Sequence, residues 1–124
     1  MSSQQRKQER DKHIREAAHY MSLVQDVLAS LQPQLQGLEP AIVRTNHIGP
    51  FSGAPDDFQV TWIFETRADA RRAKEYHVVD AGARLLLDAL RMTDYPAAAL
   101  NTFRFFTASE DEIREAGGDF AFFR

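Results

Sequence analysis

The sequence predicts an α+β two-layer sandwich, with about four strands in a mixed or antiparallel sheet and two long helices on one face. Three observations predict it. In residues 58–66, Phe58, Val60, Trp62 and Phe64 alternate with Gln59, Thr61, Ile63 and Glu65. A period of two with an aromatic and branched face is a β-strand burying that face. A strand buried on both faces of a parallel sheet would instead read as one apolar run. The second observation is helical spacing over residues 12–31, where Ile14, Ala17, Tyr20, Met21, Leu23, Val24, Val27, Leu28 and Leu31 share about half of the helix circumference. The third is a similar stripe over residues 66–92, with Tyr76, Val79, Ala83, Leu86, Leu87 and Leu90.

The elements follow in order. Residues 1–11 are polar and are expected to fray. The first helix should stop before Pro33, Gly37 and Pro40. A weaker strand covers residues 41–48, where Ile42, Val43 and Thr45 favour extension. Residues 49–57 carry two Gly, two Pro, a Ser and two Asp, the chemistry of a loop. After the strong strand, Thr66 stands three residues before Asp69 and caps the second helix. Gly82 inside that helix costs about 1 kcal/mol relative to Ala and marks a close approach to the sheet. Asp94, Tyr95 and Pro96 break the chain, and residues 100–107 form a third strand with Phe103 and Phe105 on one face, Arg104 and Phe106 on the other. Ser109 and Glu112 box a short helix that Gly117 and Gly118 end. Residues 119–123 read as a fourth strand, placing Phe120 and Phe122 on the helical face. The order is α-β-β-α-β-α-β in one domain, 1–124, ferredoxin-like only by loose analogy of architecture, which carries no function.

Composition narrows the function classes. The 124 residues are 44% hydrophobic and 27% charged, with a net charge of −3 and no cysteine. Disulfides, thiolate catalysis and cysteine-bound zinc are excluded. The acidic balance argues against general binding to a phosphate backbone, so nucleic acid is not the expected partner. The polar start and the lack of a long apolar run are those of a cytoplasmic protein without a membrane span.

Four constellations carry chemistry. Glu16 with His19 and His77 with Asp80 have the i, i+3 spacing of metal-binding helices. Both pairs fall away from the apolar arcs, so they read as solvated faces, with no metal and no cofactor. His47, Asp56, Asp57 and Tyr95 flank the Gly/Pro loop and the turn at 94–96 and form a candidate acid–base pocket. The glycines match no phosphate-loop motif. Ile63, Arg104, Phe106 and Phe123 fall on the sheet face away from the helices, a mixed apolar and charged surface of the kind that docks partners. The leading expectation is a module that associates with itself as a homodimer or with another protein through that open sheet face. The reading leans away from an enzyme; the rival is a small-molecule-binding protein or enzyme with a pocket near residues 47–57.

Overall fold

A computed structural model of the chain describes residues 2–49 and 55–124. The fold is α+β, built on a three-stranded mixed sheet in the order β1-β2-β3. The first strand, β1 (Arg44–Ile48), runs antiparallel to β2 (Gln59–Phe64), with Thr45 opposite Trp62 and Asn46 opposite Thr61. The third, β3 (Arg104–Ser109), lies parallel to β2, with Thr61 opposite Phe106 and Ile63 opposite Ala108.

Helix α1 (Ser3–Gln36) begins well before residue 12 and continues through Pro33. Ser2 and Gln5 form a capping box at its start. Proline inside a helix removes one backbone hydrogen bond, yet the last turn persists because Leu35 is fully buried there. Gln32 also donates its amide to the carbonyls of Ile42 and Val43. Tertiary packing outweighs the local stop signal.

The predicted second helix is two. Helix α2 (Arg67–Glu75) and helix α3 (Val78–Arg91) meet at His77, whose φ of 58° lies in the left-handed region. No glycine or proline announces this break. It leaves Tyr76 exposed rather than in the core stripe, while Val78, Leu86 and Leu90 are buried. The expected closeness at Gly82 is present. A Cβ there would meet Trp62 Cε2 at 3.0 Å and Ile42 Cδ1 at 3.1 Å.

A 3-10 turn (Ala97–Thr102) leads into β3, so the third strand starts later than residue 100. Ser109 caps α4 (Glu110–Glu115), its hydroxyl taking the Glu112 N–H. The last predicted strand is the short helix α5 (Asp119–Phe122). Gly117 and Gly118, with φ of 99° and 109°, turn the chain back so that residues after them pack on the sheet rather than join it. The alternation of Phe120 and Phe122 suggested a strand, but four residues are too few for alternation to separate a strand from one helical turn.

Two cores result. The larger lies between the sheet and helices α1, α2 and α3, and contains Val60, Trp62, Phe64, Val24, Leu28, Leu35, Leu86 and Leu90. The smaller lies on the opposite face, where Ile63, Ala108 and Ile113 meet Val43, Phe122 and Phe123. Thus Phe122 packs on the face opposite to that expected, and Phe120 is left exposed. No helix among the described residues is long and apolar enough to cross a membrane.

Candidate docking face of the sheet

Strand alternation lays three rows across the face turned away from α1 and α3: Arg44, Ile63 and Ala108; Asn46, Thr61 and Phe106; Ile48, Gln59 and Arg104. Helices α4 and α5 cover the first row. Arg44 holds them there, its guanidinium donating to Glu110 at 2.5 Å and to both oxygens of Asp119 at 2.7 Å. The same pairing pushes the Asp119 carboxyl below its ordinary range, through the Arg44 hydrogen bond.

In the second row Thr61 is still buried and Asn46 half-buried, and the surface opens only at β3. The Phe106 side chain is part of a residue 46% exposed, and Arg104 beside it is exposed as well. Asn46 keeps a buried Oδ1 without a hydrogen-bond partner among the described residues. A groove of about 260 Å³ runs between Ile48, Gln59, Thr61 and Phe106 on the sheet and Phe122, Phe123 and Arg124 beyond it.

Phe106 also borders a second groove, of about 430 Å³, at the outer edge of β3. Lys74, His77, Val79 and Asp80 form its far wall. Arg104 donates its N–H to the Phe58 carbonyl at 3.0 Å. In a parallel ladder with that register, Arg104, Phe106 and Ala108 direct their backbone groups to β2, and Phe105 and Thr107 direct theirs outward. Among the described residues no strand pairs with that edge.

Of the four residues expected on the docking face, Arg104 and Phe106 lie open on it. Ile63 and Phe123 do not. Ile63 is fully buried under α4, and Phe123 is half-buried in the second core. Ile63 is covered by α4, which was expected as a helix but not on this face, and Phe123 belongs to a segment expected to extend the sheet that instead folds over it. Ile48 and Asn46 lie on this face and were missed, because the imperfect alternation of β1 hid which of its residues share a face.

The acid–base candidates are only partly brought together. Tyr95 donates its phenol to the Pro55 carbonyl, which joins the turn at 94–96 to the end of the Gly/Pro loop. Its ring packs 5.4 Å from Tyr20, 5.7 Å from Phe103 and 6.5 Å from Phe58. Burial, reinforced by Tyr20 and Asp56, pushes its pKa up, so the phenol is a weaker acid that stays protonated, with its proton given to Pro55. The Asp57 N–H donates to Thr102 Oγ1 at 2.9 Å. His47 lies opposite Val60, its ring 6.4 Å from that of Phe58, and burial lowers its pKa. No hydrogen bond or ion pair joins His47 to Asp56 or Asp57 among the described residues. Residues 50–54 of the same loop lie outside the described residues.

Of the two pairs at metal-binding spacing, one stays together and the other turns to a different partner. His19 approaches Asp94 at 3.4 Å rather than Glu16, and His77 stands 3.6 Å from Asp80. No cluster of three or more His, Asp or Glu among the described residues has metal-binding geometry. Compared with protein-family models, curated proteins and solved structures, the chain matches none.

Proposed function

We propose that the chain is a protein-association module that binds an extended segment of a partner along the outer edge of β3. The observation that carries the reading is Phe106, an exposed aromatic ring standing on an unpaired edge strand between two grooves. An open edge offers backbone donors and acceptors to an incoming strand, and flanking side-chain sites give selectivity. Here Phe105 and Thr107 would supply the backbone groups. Phe106 and Arg104 would contact alternate side chains of the segment on one side, and the Lys74–Asp80 wall would contact those on the other. Aromatic residues and arginine are the commonest energetic anchors of interfaces. A cytoplasmic setting belongs to this proposal. The rival pocket near residues 47–57 receives less support, since Tyr95 fills the junction it would need.

The test is a selection of displayed random peptides on the intact protein, repeated with Phe106→Glu. Peptides that bind the wild type and lose at least about tenfold in affinity on the variant support the reading. Binding unchanged by Phe106→Glu, with the variant folded by circular dichroism, contradicts it.

A further inference from the structure

Helix α1 carries one apolar seam over two different environments. Ile14, Ala17, Met21, Val24, Leu28, Leu31 and Leu35 follow the alternating three- and four-residue spacing of a heptad. The lower four are buried on the body of the protein. The upper part continues the same line into solvent: Ile14 is 67% exposed, Met21 is 42% exposed, and residues 2–15 are exposed throughout. Contacts with the body reach up to Tyr20 and His19, so at about 1.5 Å per residue the stretch before them projects about 24 Å. An apolar line in register with a buried one has no local reason to be there, because a solvated helical arm is equally stable with polar residues at those positions.

Charge identifies what fits it. In residues 2–16, Arg6, Lys7, Arg10, Lys12 and Arg15 outnumber Glu9, Asp11 and Glu16 by two. The whole chain carries −3, so the remainder carries −5. A basic arm on an acidic body is complementary to a second copy of itself in one orientation. Antiparallel arms bring each basic tip towards the other copy's acidic body, whereas parallel arms would set two basic tips side by side. We infer that α1 pairs with α1 of a second copy, antiparallel, through Ile14, Ala17 and Met21. The long stems of Arg10 and Lys7, which continue the heptad upstream, extend the seam by covering apolar surface while their charges stay in water. This interface is separate from the β3 edge, so a dimer leaves Phe106 free for a different partner.

The experiment is sedimentation velocity of the full chain with its Ile14→Glu, Met21→Glu and Phe106→Glu variants, at about 0.05 M and about 0.5 M salt. At about 100 µM and low salt the wild type is expected at twice 14.1 kDa. Ile14→Glu and Met21→Glu each weaken the dimer at least about tenfold, and Phe106→Glu leaves it intact. Raising the salt weakens the wild-type dimer, because the attraction between tip and body is screened. A monomeric wild type, or a dimer indifferent to Ile14→Glu, overturns the inference. Loss of the dimer in Phe106→Glu instead moves the interface to the sheet. A dimer strengthened by salt overturns the antiparallel orientation.

Discussion

The two faces of the sheet differ in how completely they are sealed. On the helical face, Trp62 is fully buried, stacks on Phe105 at 5.6 Å with ring planes 11° apart, and lies under Gly82. On the opposite face α4 and α5 cover one row of residues, and in the next two only Phe106 and Arg104 of β3 are exposed. The difference teaches that the same short strands serve two ends. One face carries the larger core, and the other carries a small lid held by Arg44 beside the exposed Phe106 and Arg104.

Substitutions test this division, beginning with the largest expected effect. Trp62→Ala removes the biggest side chain of the sealed face and should cost about 3–5 kcal/mol, measured by denaturant unfolding. A loss below about 1 kcal/mol would mean that the helical face is not the main core. Gly82→Ala places a methyl group against Trp62 and Ile42, at distances that require one of them to shift. Overpacking of this kind costs about 1–3 kcal/mol, against a helix-propensity gain of about 1 kcal/mol. The net expectation is a modest loss, and a gain would show that the α3–sheet contact yields easily.

Acid should act on the two faces in separate pH windows. His47 lies on the helical face with its pKa lowered from 6.5 by burial. Its neutral form is favoured in the folded state, so stability is complete above pH 6.5 and falls as pH drops towards the folded value. Asp119 lies on the lid with its pKa lowered from 3.8 by Arg44. Its contribution is present above pH 3.8 and is lost as pH falls through the lower folded value. That second loss is small because the pair is solvent-exposed. Unfolding curves from pH 7 to 2 should show His47→Gln flattening the first window and Asp119→Asn the second. If Asp119→Asn alters the window below pH 6.5 instead, the assignment of the faces is wrong.

The smallest effect on stability belongs to Phe106→Glu, an exposed position where changes usually stay within about 0.5 kcal/mol. It is nevertheless the substitution expected to abolish partner binding. That dissociation between stability and binding separates a binding surface from a structural one.

Much of this was legible in the sequence, and the exceptions have physical causes. Residues 58–66 gave β2 because the alternation is long and aromatic. Gly82 could be read as a close approach because glycine inside an amphipathic helix needs a reason. Arg104 and Phe106 were placed correctly by the period of β3. The break at His77 was not legible, since it rests on a non-glycine residue at positive φ, next to the buried Val78 that opens α3. The continuation of α1 through Pro33 depends on Leu35 being buried by elements distant in sequence. The helical fate of residues 119–122 depends on Arg44, which lies 75 residues away and holds Asp119. Local patterns reveal periodicity, and long-range pairs decide the boundaries.

The most direct test of the central claim is amide hydrogen exchange along β3 in the free protein, followed residue by residue by NMR. An open edge predicts an alternation: Phe106 and Ala108, bonded to β2, exchange slowly, and Phe105 and Thr107 exchange fast. Added peptide that binds at this edge should then slow Phe105 and Thr107. Uniformly slow exchange along β3 in the free, monomeric chain would mean that the edge is already covered, and would contradict the account.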